Sequence, residues 1–321
     1  MEKVNSYAIE VQNICKHFKE VKAVDDISLK INKGELFSIL GPNGAGKTTL
    51  INMLTTVLTP TSGDAQLNGF SIRTDKNEIV KDIGVCPQEI VIYNVLTAEE
   101  NVEFVARMHG LSKIEAKKKA RKLLEQFGIS GRKDRAKTFS GGMKRRLNLV
   151  MALVFDPKIL FLDEPTAGLD PQARRLVWDF IGDLKSKDIT IILTTHDMNE
   201  AEMLSDRIAI IDMGKIIAQG TPSELKEKYG TESVLEISFL DKNDVETVNR
   251  SVEHLPFVSN KKEMSDKKNK LHISFEGGLK NLIKILQQGI VEKIGEVDNI
   301  KFRQTTLEDV FLNLTGRRLR D

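Results

Sequence analysis

The sequence predicts an α/β protein with a helical insertion and a small C-terminal α+β module, and three observations carry that prediction. A short apolar run, LFSIL (Leu36 to Leu40), enters a glycine-rich stretch, GPNGAGKTT (Gly41 to Thr49), which opens onto LINML (Leu50 to Leu54). Strand, loop and helix in that succession are the context of a phosphate-binding unit. Strand-like runs then lapse from about Leu96 to Phe155, where the apolar period is helical. Beyond Thr231 the order strand, helix, strand, strand, helix, strand is that of a ferredoxin-like module.

Taken in order, Tyr7 to Val11 and Ile27 to Ile31 alternate apolar and polar residues, as half-buried strands do. Leu36 to Leu40 is a strand and Lys47 to Val57 a helix. Ser62-Gly63-Asp64 and Asn68-Gly69 are turn signals around another short strand. Asn101 to His109 and Ile114 to Phe127 are helices. Strands resume at Ile159 to Leu162, Ile189 to Leu193 and Ile208 to Ile211. The last meets Ile216 to Gln219 as a hairpin across Met213-Gly214-Lys215. Pro171 to Leu184 is a helix with Leu176, Val177, Phe180, Ile181 and Leu184 on one face, and Asp170 and Pro171 suit its N-cap and first position. In the C-terminal module the strands are Val234 to Phe239, Val258 to Met264, Leu271 to Phe275 and Val297 to Phe302. Its helices are Asp244 to Leu255 and Leu279 to Gln287. The charged run from Lys261 to Lys270 is a solvated hairpin turn. A tail helix carries Leu307, Val310, Phe311 and Leu314 as a stripe and ends at Gly316.

Bulk composition narrows the class. Hydrophobic residues make up 40% and charged residues 29% of 321 positions, the balance of a protein with an ample core. The net charge of +2 is too small to argue for nucleic acid, and the charges are interleaved in sign. Cys15 and Cys86 have no paired spacing, so no zinc motif or disulfide framework is expected. The start, MEKVNSYAIE, lacks an apolar signal core, and no run approaches the ~18 apolar residues of a membrane helix. A role at a membrane therefore requires a partner.

Chemistry enters at Gly41 to Thr48, which matches G-x-x-x-x-G-K-[ST]. Glycines let main-chain N–H groups wrap a phosphate, and the following helix adds partial positive charge. Lys47 is expected to reach the β- and γ-phosphates and the Thr48 hydroxyl to sit on Mg²⁺. The stretch ILFLDE, Ile159 to Glu164, is an apolar strand ending in two carboxylates. Asp163 is placed to hold Mg²⁺ and Glu164 to act as a general base on water. No guanine-reading N-K-x-D occurs, which favours ATP over GTP.

With FSGGMKRR (Phe139 to Arg146) just upstream of Asp163, the sequence resembles the nucleotide-binding subunit of an ATP-binding cassette (ABC) transporter. That stretch is similar to the family's signature, L-S-G-G-Q. Gln88 in VCPQ matches the Q-loop, Ala167 to Asp170 (AGLD) the D-loop, and His196 in LTTHD the switch histidine. Phe18 in KHF stands where the family has an aromatic residue stacked on adenine. The resemblance covers residues 4 to about 230 and implies a P-loop NTPase cassette with a mixed-sheet core. It implies a cassette over 1–231 with a helical subdomain at about 90–157. A small α+β domain over 232–304 and a helical tail over 305–321 follow. TTLEDVFLNLTG (Thr305 to Gly316) is similar to the tail of drug-resistance cassettes of the daunorubicin-exporter kind.

The resemblance also implies the site. ATP and Mg²⁺ would be held by Gly41, Asn43, Gly44, Ala45, Gly46, Lys47, Thr48 and Thr49, with Phe18 on the base and Thr48, Gln88 and Asp163 around the metal. Glu164, His196 and Gln88 would be catalytic. Two cassettes, identical or paralogous, would close head to tail. Ser140, Gly141 and Gly142 of one would then bind the γ-phosphate held by the other, with Asp170 at the seam. An integral membrane permease would be the second partner, reached through the apolar stretch QEIVIYNVL (Gln88 to Leu96). The protein would lie on the cytoplasmic face of the cell membrane, export, and bind no nucleic acid. Two departures stand out: Phe139 replaces Leu, which alters packing, and Met143 replaces Gln, which removes a capping-box partner for Ser140. The rival readings are a soluble cassette acting on ribosomes or DNA and a small-molecule kinase. The chain has neither a second cassette nor a long heptad run, and a kinase leaves FSGGMKRR and His196 unexplained.

Overall fold

Two long strands, β1 (Tyr7–Phe18) and β2 (Val21–Asn32), pair antiparallel, with bulges between Val11 and His17 that let each exceed its regular alternating core. β4 (Ser62–Leu67) and β5 (Phe70–Ser71) complete this sheet in the order β2-β1-β4-β5. Ser62 and Gly63, read from sequence as a turn, lie within β4; Asn68 and Gly69 make the turn, both at positive φ (49° and 90°) as a tight hairpin requires. The computed structural model describes residues 7–185, 188–230, 233–240, 254–263, 270–289, 297–303 and 305–315, with 245, 248 and 250–252 between them.

A six-stranded sheet forms the core, in the order β10-β9-β3-β8-β7-β6. Its strands are β3 (Leu36–Leu40), β6 (Ile83–Cys86), β7 (Ile159–Asp163), β8 (Thr190–Thr195), β9 (Arg207–Asp212) and β10 (Lys215–Gly220). All neighbours are parallel except β10 against β9, so the sheet is mixed. β9 and β10 meet across Met213 and Gly214, the hairpin expected there. The central strands are buried on both faces, and their residues alternate between two apolar clusters. Leu36, Leu160, Leu162, Ile191 and Leu193 face one; Phe37, Ile39, Ile159, Phe161 and Ile192 face the other. That is why these strands read as continuous apolar runs. β6 was not anticipated. A Cβ at Gly84 would meet the Ala152 carbonyl oxygen at 2.3 Å, so the strand's glycine answers a close backbone approach rather than strand propensity.

Helices cover the core. α1 (Lys47–Leu54) follows β3 and ends earlier than the Val57 expected. α2 (Lys76–Asp82), also unexpected, leads into β6. α3 (Ala98–Met108) and α4 (Lys113–Gln126) each begin with a full capping box, Thr97 with Glu100 and Ser112 with Glu115. α5 (Gly141–Leu153) is buried along most of its length. Between Gln88 and Lys158 the strand pairing consists of a single bridge, Thr97 to Arg135, which agrees with a helical insertion. α6 (Pro171–Lys185) buries Val177, Ile181 and Leu184, but Leu176, placed on the same face from sequence, is 52% exposed. α7 (Met198–Leu204) completes the helices of this part, and α8 (Pro222–Tyr229) begins at its boundary with the next.

The chain divides into two compact units, the first running to Pro222 and the second starting at Ser223. The second contains β11 (Ser233–Phe239), β12 (Val258–Glu263), β13 (Lys270–Phe275), α9 (Gly278–Gly289), β14 (Val297–Arg303) and α10 (Leu307–Thr315). Its strands run β12-β13-β11-β14, each antiparallel to its neighbours. Leu235, Ile237, Phe239, Leu271, Ile273 and Phe275 share one face and pack with Val248, Val252, Leu282 and Ile285. Most of the expected helix from Asp244, the turn after Glu263 with Met264, and Gly316 lie outside the described residues. In α10 Leu307, Val310 and Phe311 are buried, and Thr306 and Asp309 cap it reciprocally. No helix among the described residues is long and apolar enough to cross a membrane.

Candidate active site

The parallel register brings three strand ends together. Leu40 pairs with Thr195, and Asp163 pairs with Thr194. The segments leaving β3, β7 and β8, which carry Lys47, Glu164 and His196, therefore start side by side. The glycine-rich loop after β3 is held by main-chain bonds. The Gly41 N–H donates to Thr195 O at 3.3 Å, and the Gly214 N–H donates to Ala45 O at 3.0 Å. Two glycines are obligatory by contact. A Cβ at Gly41 would lie 2.2 Å from the Ile211 carbonyl oxygen, and one at Gly46, where φ is +103°, would lie 2.2 Å from that of Ala23.

Lys47 is 5% exposed, and its Nζ donates to the Gly41 carbonyl at 2.8 Å and the Pro42 carbonyl at 3.1 Å. The same ammonium lies 3.4 Å from Glu164 Oε1. Burial pushes its pKa down, and the Glu164 carboxylate opposes that shift. Asp163 ends β7 buried and accepts the Thr194 hydroxyl. Glu164 follows with φ of 49°, left-handed backbone in a non-glycine residue, a geometry that costs on the order of 1 kcal/mol or more and concentrates at functional sites. Its N–H donates to Thr194 O at 3.1 Å. Its side chain is the hub of the site. Oε2 accepts Gln88 Nε2 at 3.1 Å, and Oε1 is 3.2 Å from His196 Nδ1.

A cleft of about 530 Å³ opens over these groups. Asn43, Gly44, Gly46, Lys47, Thr48 and Thr49 form one side, Gln88 and Glu164 face them, and Val21 to Ala23 with Met213 and Gly214 close the rim. A cleft lined by a helix N-terminus, a buried lysine and small residues fits a polyphosphate. The Thr48 hydroxyl on its lining and the buried Asp163 carboxylate, one residue before Glu164, are oxygen donors of the kind that suits a hard divalent cation such as Mg²⁺.

The comparisons with known proteins agree with this geometry. The family profile described as "ABC transporter" matches residues 24–167. The linearmycin resistance ATP-binding protein LnrL of Bacillus subtilis is 38% identical, over 98% of this chain and all of its own. This chain belongs to the ABC transporter family. It falls among the ATP-binding subunits of drug-resistance type. The doxorubicin resistance ATP-binding protein DrrA of Mycobacterium tuberculosis is 36% identical over 96% of this chain and 93% of its own. Among solved structures, a dimeric ATP-binding cassette in a post-hydrolysis state bound to ADP and Pi shares 27% identity. It covers 66% of this chain and 98% of its own, with a TM-score of 0.61. As a member of this family the chain is an ATPase.

The cassette does not gather every residue that the resemblance singled out. Phe18 pairs with Val21 at the β1–β2 turn and is 47% exposed, with Lys16 Nζ 5.2 Å from its ring, but it does not line the cleft. Ser140, Gly141 and Gly142 also lie outside the cleft lining, at the start of α5. There the Ser140 side chain caps the helix by accepting the Met143 N–H at 3.3 Å. A Cβ on Gly142 would lie 3.6 Å from Leu169 Cδ2, so the signature and D-loop segments of this one chain adjoin. Asp170 caps α6, accepting the Ala173 N–H at 2.9 Å. Met143 packs partly buried against the core, and Phe139 is buried within it, which gives both departures a packing role.

Two cassette residues were missed from sequence. Arg145 reads as part of a solvated basic run yet is 2% exposed. Glu200 reads as a surface helix residue yet is 1% exposed, and its Oε1 accepts the Thr166 hydroxyl at 2.7 Å and Trp178 Nε1 at 2.9 Å. Burial raises its pKa, and those hydrogen bonds resist the shift. The stretch from Gln88 to Leu96 is largely outside the core: Ile90, Val91, Tyr93 and Val95 are 41% to 66% exposed. Buried Asn101 anchors it, accepting the Tyr93 N–H at 2.7 Å and donating to the Tyr93 carbonyl at 3.1 Å. Val91 lines an apolar groove of about 530 Å³ with Val57, Val80, Val105, Met151 and Phe155, and His109 stacks on Phe155 within it.

Proposed function

We propose that this chain is the energy-converting subunit of a drug-resistance exporter, and that it hydrolyses ATP with Mg²⁺ as a head-to-tail dimer on a separately encoded permease. The observation that carries the reading is the convergence on Glu164, whose carboxylate lies within 3.4 Å of Lys47, Gln88 and His196 at the mouth of the phosphate cleft.

In this mechanism the N–H groups of Asn43 to Thr49 and the Lys47 ammonium bind the β- and γ-phosphates. Thr48, Asp163 and Gln88 would hold Mg²⁺, which would supply charge neutralisation on the phosphates. Glu164 accepts the proton of the attacking water, with Gln88 and His196 fixing its carboxylate and the water's approach. Phe18 at the β1–β2 turn meets the base. Ser140, Gly141 and Gly142 meet the γ-phosphate of a second cassette, and Asp170 lies at that seam; the exposure of Ser140 and Gly141 supports this. The dimeric state of the ADP- and Pi-bound relative supports association. The apolar groove by Val91 and Phe155 fits a helix of the permease, and closure of the dimer reaches the permease through Gln88 and that groove. Export and the drug-resistance role follow the relatives named for linearmycin and doxorubicin resistance. On this reading the protein works peripherally on the cytoplasmic face of the membrane. The residues from 232 to 304 act in support of the dimer.

The test is ATP hydrolysis by the purified chain with Mg²⁺ and with EDTA, beside recovery of the tagged chain from membranes. Metal-dependent hydrolysis and co-purification of an integral membrane protein are expected. Recovery with ribosomes or DNA and no membrane protein would contradict the reading.

A further inference from the structure

Arg145 lies on the second turn of α5, downstream of Ser140, with its guanidinium buried. An arginine side chain has five N–H donors in one plane. Here each has a main-chain carbonyl. Nε donates to Pro165 O at 2.9 Å, Nη1 to Pro87 O at 2.9 Å and Gln88 O at 2.7 Å, and Nη2 to Asp163 O at 3.1 Å and to Glu164 O. These carbonyls belong to two separate segments, the one that presents Gln88 and the one that presents Asp163 and Glu164. The side chains of Gln88 and Glu164 then meet each other at 3.1 Å. A solvated role predicts neither the burial nor the filled donor set. A charge is retained inside the protein at a desolvation cost that only full hydrogen bonding offsets.

We propose that Arg145 is a positioning residue that holds Gln88 and Glu164 in register with helix α5. The helix that begins at Ser140 and the two side chains that act on water then move as one body. This rests on the reading above, in which Ser140 engages a nucleotide held by a second cassette. On that reading, engagement at the start of α5 is passed through Arg145 to the same chain's own Gln88 and Glu164. The coupling thus runs from one ATP to the other through a single guanidinium. A lysine at this position has three donors on a flexible stem and cannot hold five carbonyls in a plane.

The experiment compares Arg145→Lys with wild type and with Gln88→Ala, alone and combined, at a temperature where all are folded. We expect kcat for ATP to fall about 10- to 100-fold in Arg145→Lys, as a displacement near 1 Å at a catalytic group would produce. Calorimetric affinity for ADP in EDTA, which reads the phosphate loop without the metal, stays within about twofold of wild type because Lys47 is untouched. The double variant falls no further than about threefold below the weaker single, because both act through one network. Wild-type kcat in Arg145→Lys, an equal loss in ADP affinity, or multiplicative effects in the double variant would each overturn the proposal. If Arg145→Lys does not fold, Arg145→Gln is read by the same two ratios. Failure of both to fold would make Arg145 a folding residue and overturn it too. A wild type that does not hydrolyse ATP would instead break the functional reading on which it rests.

Discussion

The cassette has two helix starts suited to an anion, and they are finished in opposite ways. At α1 the chain supplies everything around the helix: Lys47 is 5% exposed, fixed by the carbonyls of Gly41 and Pro42, and faced by Glu164. At α5 Ser140 and Gly141 are exposed, and the serine's bond is to its own helix. The first is a closed cradle with a carboxylate beside it. The second leaves its first residues exposed, and the Ser140 side chain bonds within its own helix. On the proposed reading the difference is the logic of a shared site, in which each chain builds one wall and lends the other.

The largest expected effect is at the finished end. Lys47→Ala removes a buried charge-assisted donor and should raise the dissociation constant for ATP about 10- to 100-fold, measured by calorimetry. A change under about twofold there would break the contrast. At the open end, Ser140→Ala should leave ATP binding by the monomer within about twofold while slowing turnover about tenfold, since one transition-state donor is lost. Its N-cap loss should cost about 1 kcal/mol of stability, read by denaturant titration. Equal losses of binding and turnover would show that Ser140 acts on its own chain's nucleotide.

Glu200 asks how far the rigid half extends, because it ties Thr166, just past Glu164, to α6 through Trp178. Its folded pKa is raised by burial, so between its unfolded and folded pKa values the native state holds more protons than the unfolded state. Stability from this group is therefore present below the unfolded pKa and is lost as pH rises through the folded pKa. Glu200→Gln removes the titration, so its melting temperature relative to wild type should move upward as pH rises above the ordinary carboxylate range. An unchanged difference would mean that burial does not hold the carboxyl protonated in the folded state. The smallest effect is at Met143. Because it packs against the core and leaves the Ser140 cap intact, Met143→Gln should tighten ATP-driven dimerisation by only about two- to fivefold, one neutral hydrogen bond's worth. No change in dimerisation by light scattering would remove Met143 from the seam.

What the sequence shows plainly is what one segment decides for itself. LFSIL, GPNGAGKT and ILFLDE state their strands, loop and carboxylates because both sheet faces are buried and the loop must be glycine-rich. What it hides depends on distant segments. β6 escapes notice because Gly84 exists to clear the Ala152 carbonyl of α5. Arg145 and Glu200 sit in charged stretches that look solvated, and only the packing of α5 and α7 turns them inward. Leu176 errs the other way: it keeps the apolar period of α6 but faces outward. Phe18 shares this limit, since the sequence read the strand only to Val11 and did not show that Phe18, at the end of β1, lies outside the cleft lining.

The central claim is that one chain builds half of each catalytic site and closes on a second copy through ATP. The most direct test is Glu164→Gln, which keeps the shape and the Gln88 contact while removing the base, compared with wild type by ATP turnover and by light scattering with Mg-ATP. The account predicts turnover lowered at least about 100-fold, retained ATP binding, and a stable ATP-bound dimer where wild type is largely monomeric. Normal turnover, or ATP bound by a variant that stays monomeric at every concentration, would contradict it.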